Sequence, residues 1–337
     1  MGLLRLSRCG LSYRATPIGY EVLQKGGFDY TPDKQYRGKG TVLDRRLETA
    51  EITGFFWRYG ADVFLSAPHA EKEGLAFLPS FALRRKTYAN VLGGTRLAGF
   101  LYTEATAFIP YYITPQSEGV YANVEHRTFR AESLLCGRIP VVLYTGAGTL
   151  EQLIQAVTAG RCKKERSTTD SYLAALDKFG CEAALVPMDE SGMRQLRILS
   201  VPGYKEKLLR QLLGKDFLPP VLKQSDGRSK KMNGHFLIGI DCNIARFGEA
   251  IMQTDIKPHI IVLTTQAPAL QTYLTGQNVV LHPIEMKAAE AILGIPHELP
   301  ALNISPFRTG KGEYLYGAPF REDKAPGRKS GRRMEKE

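Results

Sequence analysis

The sequence predicts an α/β fold with some α+β character, and three observations carry that prediction. First, strand-length apolar runs alternate with helix-period segments. IPVVLYT precedes LEQLIQAVTAG, HFLIGID precedes IARFGEAIM, HIIVLTT precedes APALQTYL and NVVLHP precedes EMKAAEAIL. Such alternation builds a parallel or mixed sheet covered by helices. Second, the chain has 337 residues and is 43% hydrophobic, enough for two domains or one large one. Third, no segment nears the roughly 20 apolar residues that span a bilayer. The apolar helix stripes are therefore expected to bury against the sheet.

The elements follow in order. Leu3 to Arg8 and Tyr13 to Ala15 alternate apolar and polar residues around Gly10-Leu11-Ser12, which reads as a hairpin. Thr16 caps a helix with Pro17 at its first position, Tyr20, Val22 and Leu23 within it and Gly26-Gly27 as its stop. FDYTPDKQYRGKG reads as a linker. A long helix starts at Thr41, places Leu43, Leu47, Ala50, Ile52, Phe55 and Phe56 on its apolar side, and ends at Gly60. ADVFLS, LAFLPS, RLAGFLYT and AFIPYYIT are strand candidates, and a helix is expected over Glu125 to Cys136. After IPVVLYT and the GAGT turn-helix come a helix over Ser171 to Phe179 and the strand EAALVP. DESGMRQLRILSVPGYKEKLLRQLLG reads as helix, short strand, helix.

This gives a map of 1–27 hairpin and helix, 28–40 linker, 41–220 α/β domain and 221–234 basic loop. A C-terminal βαβαβ segment over 235–300 belongs to the same or a second domain. The tail, 301–337, is poor in apolar residues and expected to be disordered from about 321. Phe55, Phe56 and Trp57 lie in an amphipathic helix and are expected in the core rather than on a base-stacking platform.

The net charge of +11 favours polyanions, nucleic acid above all. Five scattered cysteines without a C-x-x-C argue against a disulfide framework or zinc knuckle, and the six histidines form no local metal motif. MGLLRLSRCG lacks the apolar stretch of a signal peptide, so the expected location is the cytoplasm, with no membrane partner. The basic residues fall into clusters: Arg5, Arg8 and Arg14 on the hairpin; Arg84, Arg85 and Lys86 after FLPSFAL; Lys230 and Lys231 in the basic loop; and Arg328, Lys329, Arg332 and Arg333 in the tail. Each set is a candidate phosphate contact, and each is equally consistent with a solvated surface.

IPVVLYTGAGTLEQLIQAV has the strand, glycine turn and helix order of a phosphate site, with Gly146, Gly148 and Thr149 as candidates. Glu151 stands where a third glycine would be and would repel a pyrophosphate; the simpler reading is a tight β–α turn with Thr149 as helix cap.

RLSRCGLSYRATPIGYEVL, with Tyr13, Arg14, Thr16, Pro17, Gly19 and Tyr20, resembles the end of the winged helix-turn-helix of the replication-relaxation family of plasmids and integrative conjugative elements. LDRRLETAEITGFFWRYGADVF, FLPSFALRRK and RLAGFLYTEATAFIPYYI resemble that family's long helix and nuclease-like sheet, with a weaker echo in FLIGIDCNIARFGEAI and HIIVLTTQAPALQTYL. The resemblance implies a DNA-binding accessory role in replication or relaxation, with a relaxase or other conjugation protein as partner. A complete module of this kind opens with two helices before the wing. None precede it here, so major-groove reading by this chain is not expected.

Nuclease-like folds hold Mg²⁺ through a strand-end Asp and an E-x-K or D-x-K on the next strand. Asp62 matches the first position. Glu104 is followed two residues on by Thr106 rather than Lys, and Asp241 is followed by Cys242 and Asn243. The expectation is a nuclease-shaped protein without catalysis and without a cofactor. Mg²⁺ enters only under the alternative of a metal-dependent nuclease; a nucleotide-binding α/β protein is the other alternative.

Overall fold

Side chains in the central strands alternate between two separate cores, and this alternation organises the molecule. The structure is a computed structural model, described over residues 4–6, 13–15, 41–64, 75–80, 97–113, 137–159, 161–162, 170–171, 182–232, 234–252, 256–299 and 320–321. The first long element is helix α1 (Thr41–Tyr59), after the hairpin of β1 (Leu4–Leu6) and β2 (Tyr13–Ala15). Strands β3 (Asp62–Phe64), β4 (Ala76–Pro79), β5 (Gly99–Tyr102), β6 (Thr106–Tyr112) and β7 (Ile139–Gly146) follow. Next are α2 (Leu150–Ala159), a short pair β8 (Arg161–Cys162) and β9 (Asp170–Ser171), and β10 (Glu182–Pro187). The chain continues through α3 (Glu190–Leu199), α4 (Tyr204–Leu213), β11 (Phe217–Leu218), β12 (Gly227–Ser229) and β13 (Gly234–Ile238). It ends with α5 (Ile244–Met252), β14 (His259–Leu263), α6 (Ala267–Tyr273), β15 (Val280–Ile284), α7 (Met286–Leu293) and β16 (Phe320–Arg321).

The fold is α/β. One sheet has the order β10-β7-β6-β5-β4-β3-β16 and the other β11-β12-β13-β14-β15. Both are mixed. The runs β6-β7-β10 and β13-β14-β15 are parallel, while β4-β5-β6 and β11-β12-β13 are antiparallel. Ile109, Val142, Leu185, Leu237 and Val262 point into one core with helices α2, α5 and α6. Phe108, Leu143, Val186, Ile238 and Leu263 point into the other, beneath α1, α3, α4 and α7. Each core runs across both sheets, so the two sheets share their covering layers.

The sheets meet at β10 and the residues after β13. Leu185 N–H donates to the Asp241 carbonyl at 2.9 Å. Gln195 of α3, buried, donates from Nε2 to the carbonyls of Leu185 (2.8 Å) and Ile240 (2.7 Å). Gln266 also donates to the Ile240 carbonyl, at 2.9 Å, and its Oε1 accepts from Leu263 N–H. Two amide side chains thus satisfy backbone groups that no strand partner reaches, as buried polar groups require. Helix α3 sits close over this junction because residue 192 is glycine: a Cβ there would lie 1.8 Å from the Pro187 carbonyl oxygen. Asp189 caps the same turn by accepting from Gly192 N–H at 2.8 Å. Tyr59, at the end of α1, shares a 2.9 Å hydrogen bond with Ser200, and burial pushes its phenol up to about 12.

The long helix, the strand series and the parallel βαβαβ segment stand as expected. Phe55 and Phe56 are buried and Trp57 partly so, while Ala50 is exposed rather than on the apolar side. The short strand expected between α3 and α4 is absent. Ile198 and Leu199 complete the buried stripe of α3, Ser200 N–H bonds the Leu196 carbonyl, and Gly203, at φ 67°, opens α4 directly. The expected basic loop 221–234 contains β12. Asp226 accepts from Ile238 N–H at 2.7 Å, and β12 holds through backbone pairing to β11 and β13. Phe320–Arg321 pair parallel to β3 at the edge of the first sheet. The helix expected over 171–179 begins instead with Ser171 paired to Arg161 in the β8–β9 ladder, and its other residues, the helices expected over 16–26 and 125–136, the linker and most of the tail lie outside the described residues. So does any part of a winged helix beyond the β1–β2 pair. Among the described residues no helix is long and apolar enough to cross a membrane.

Replacing Gln195 by Leu leaves the Leu185 carbonyl without its side-chain donor in a dry interior. The expected cost is about 2 kcal/mol of unfolding free energy in a urea titration. A loss below about 0.5 kcal/mol contradicts the role given to this amide.

Candidate functional site

Asp241 leaves the end of β13 at the junction of the two sheets and gathers most of the buried charge. Its Oδ1 accepts from Asn243 N–H at 3.1 Å, turning the chain into α5. Its Oδ2 faces Lys205 Nζ at 3.1 Å, the Tyr204 hydroxyl at 3.5 Å and Arg246 at 3.9 Å. Arg246 pairs more tightly with Asp226, at 2.5 Å, and donates to the Gln224 carbonyl at 3.1 Å. Lys205 reaches a second acid, Glu182, at 3.3 Å. Three acids and two bases therefore interlock, two of the acids with little exposure and Glu182 at the surface.

The electrostatics keep both bases charged. Burial is the largest effect and opposes the Lys205 ammonium, but Asp241, Glu182 and Asp226 together outweigh it, and the pKa rises. Arg246 follows the same pattern: burial opposes its charge, and Asp226 and Asp241 raise its pKa. Burial first, then Asp241, drives the Tyr204 phenol and the Cys242 thiol well up, so neither offers an anionic nucleophile at neutral pH. Cys242 has φ 51°, the one positive-φ residue other than glycine among the described residues. Such strain persists where the surroundings over-determine it. Here the turn is closed by Cys242 N–H donating to the Gly239 carbonyl at 2.9 Å and by Asn243 N–H donating to Asp241 Oδ1.

Next to the network lies a cavity of about 190 Å³ between the starts of β6, β7 and β10 and the α3–α4 turn. Phe108, Ile139, Val141, Leu199 and Val201 form apolar wall, and Glu182, Lys205 and Asp241 form the polar side.

A second polar cluster lies on β14 and β15. His259 Nδ1 and His282 Nε2 are 2.8 Å apart, with ring centroids 5.0 Å apart and planes 19° apart, so the rings meet edge to edge through one N–H···N bond. Phe236 lies 4.7 Å from the His259 ring. Burial, then His282, lowers the His259 pKa, and burial lowers that of His282. Among the described residues no three His, Cys, Asp or Glu side chains group as a metal site.

The residues expected from sequence fall in separate places. Asp62 opens β3 and is in register with Ala76, which is in register with Tyr102. Glu104 stands exposed in the β5–β6 turn, so a full strand separates the two carboxylate positions. Gly146, Gly148 and Thr149 do form the turn between β7 and α2. A Cβ at Gly146 would lie 2.2 Å from the Ile113 carbonyl oxygen, and one at Gly148 2.4 Å from Gln152 Oε1. Thr149 N–H donates to Gln152 Oε1 at 3.0 Å and Gln152 N–H to Thr149 Oγ1 at 3.4 Å, a capping box that occupies the start of the helix. The glycines thus have a local packing explanation.

Arg5 and Arg14 are register partners in the β1–β2 pair. Lys230 and Lys231 are exposed in the β12–β13 turn. Arg8, Arg84, Arg85, Lys86, Arg328, Lys329, Arg332 and Arg333 lie outside the described residues. The network of Glu182, Lys205, Asp226 and Arg246 had no local signature in the sequence; its one legible part was the strand-end Asp241. Family models, curated proteins and solved structures were compared with the chain, and none matches it.

Asp241→Asn removes the charge that Lys205 and Arg246 share. It is expected to destabilise the protein by about 3 kcal/mol in chemical unfolding, because the ammonium keeps only its surface partner. A cost below about 1 kcal/mol contradicts the central place given to Asp241. The histidine pair predicts a pH effect of definite sign. The folded rings resist protonation, whereas unfolded histidines titrate near 6.5. Their contribution is therefore complete above that value and is lost as pH falls below it. Unfolding free energy should decline below pH about 6.5 in the parent and decline less in a His259→Gln/His282→Gln double variant. Identical pH slopes refute the assignment.

Proposed function

We propose that the protein is a DNA-binding, non-catalytic accessory protein that holds the phosphate backbone through a lysine-rich edge of its second sheet. The observation that carries this reading is the convergence of Lys215, Lys230 and Lys231. Lys230 N–H donates to the Asp216 carbonyl at 2.8 Å, which draws the turn after α4 against the β12–β13 turn. The register of Phe217 with Ser229 and of Leu218 with Arg228 continues the contact. Lys223, Lys230 and Lys231 are exposed, as is Lys215, and among the described residues none of the four has a carboxylate partner. Residues 204–232 hold eight Lys and Arg against three Asp and Glu, so nearly half of the +11 surplus gathers in one corner. Clustered, unpaired and exposed cations are what counterion release from a polyphosphate requires.

Binding of this kind positions a protein without reading sequence. That suits an accessory protein whose specificity comes from a partner. A role in replication or DNA relaxation of a plasmid or conjugative element, in the cytoplasm and beside a relaxase, rests on the resemblance of the opening segment and the long helix. The Arg5–Arg14 register pair adds two cations to the same reading.

The test is fluorescence anisotropy on labelled duplex DNA over a salt series. The parent should bind at low salt with affinity falling steeply as salt rises. A Lys215→Ala/Lys230→Ala/Lys231→Ala variant should bind at least about tenfold more weakly and lose roughly 2–3 units of the log–log salt slope. An unchanged slope removes this edge from the interface, and absence of parent binding at low salt removes the reading.

A further inference from the structure

The cavity beside Lys205 has a composition that selects for one kind of ligand. Its volume of about 190 Å³ is below the roughly 300 Å³ at which ordinary small-molecule sites begin. It takes a single flat ring system and not a whole nucleotide. Phe108, Ile139, Val141, Leu199 and Val201 supply apolar surface for the faces of such a ring. The polar side is Glu182 and Lys205 with Asp241 behind them. The Lys205 ammonium has three N–H bonds and two carboxylate partners, leaving one donor. Glu182 holds Lys205 through Oε2, leaving Oε1 as acceptor.

Charge narrows the choice. With Asp226 and Arg246 behind Glu182, Lys205 and Asp241, three carboxylates meet two cationic groups here, so an anion is repelled and a cation has to displace Lys205, which Asp241 holds. A neutral ring with a donor beside an acceptor satisfies both free positions without burying net charge. That is the hydrogen-bonding pattern of a nucleobase edge.

We propose that this cavity holds one unpaired nucleobase, its faces against the apolar wall and its edge against Lys205 and Glu182. The cavity lies at the first turn of α4 and the lysine edge begins just past its last turn. Helix α4 has ten residues, about 15 Å, so a strand held on the lysines reaches the cavity within a few nucleotides. In this respect the inference rests on the DNA-binding reading; the ring chemistry comes from the cavity itself.

The experiment is ligand-observed NMR of the full chain with deoxycytidine, deoxyadenosine and thymidine, which carry no phosphate for the lysines. Saturable binding of at least one nucleoside at about millimolar concentration or tighter is expected. Glu182→Gln, at an exposed position, should weaken it at least about fivefold, the loss of a charged acceptor. Val201→Phe, which fills the cavity, should abolish it, with circular dichroism confirming that both variants fold. No saturable binding of any nucleoside, or binding unaltered in both variants, overturns the proposal. Duplex binding is measured on the same samples. Nucleoside binding that fails while duplex binding persists overturns the cavity assignment alone. Nucleoside binding that persists while duplex binding fails supports it and removes the lysine edge instead.

Discussion

One backbone hydrogen bond, from Leu185 N–H to the Asp241 carbonyl, and the amide of Gln195 beside it hold the two sheets in one frame. Without that junction, β10 would be an open edge and the C-terminal βαβ segment a separate layer. With it, both faces have continuous apolar cores, and the Asp241 side chain is fixed where α3, α4 and α5 converge. The cost of burying its charge is offset by Lys205 and Arg246, each of which keeps a second acid. The positive φ of Cys242 lies in the same turn, which Cys242 N–H closes onto the Gly239 carbonyl.

The junction also orders the surface. It fixes α3 and α4, and the end of α4 delivers the turn at 214–216 to the β12–β13 turn. Lysines from two distant stretches thereby meet at one corner, while the start of α4 lines the cavity. A lysine-rich corner and a small polar-edged cavity at the two ends of the same helix follow from one packing decision.

Much of the fold was legible in the sequence because periodicity reports burial. The long helix, the strands from Ala76 to Tyr112 and the βαβαβ segment all carry apolar residues at strand or helix spacing. Failures came where backbone pairing acts without an apolar pattern. β12 is Gly-Arg-Ser and is held by the Asp226 side chain and its two neighbours. The short strand expected between α3 and α4 does not form, because Ile198 and Leu199 finish a helical stripe. The site was less legible. The glycine turn at 146–149 was a true β–α turn, and the capping residue Thr149 was correctly placed. The ion network joins residues from 182 to 246, and nothing local marks such a set. Lys215 did not stand out either, since its nearness to Lys230 is created by the β11–β12 pairing.

The central claim is that the two sheets fold and open as one unit through the β10–β13 junction. Native-state hydrogen exchange tests it most directly. Amides of β7 and β10 and those of β13 and β14 should share one opening free energy, equal to global unfolding. Independent exchange of the C-terminal strands, with β10 still protected, contradicts the claim.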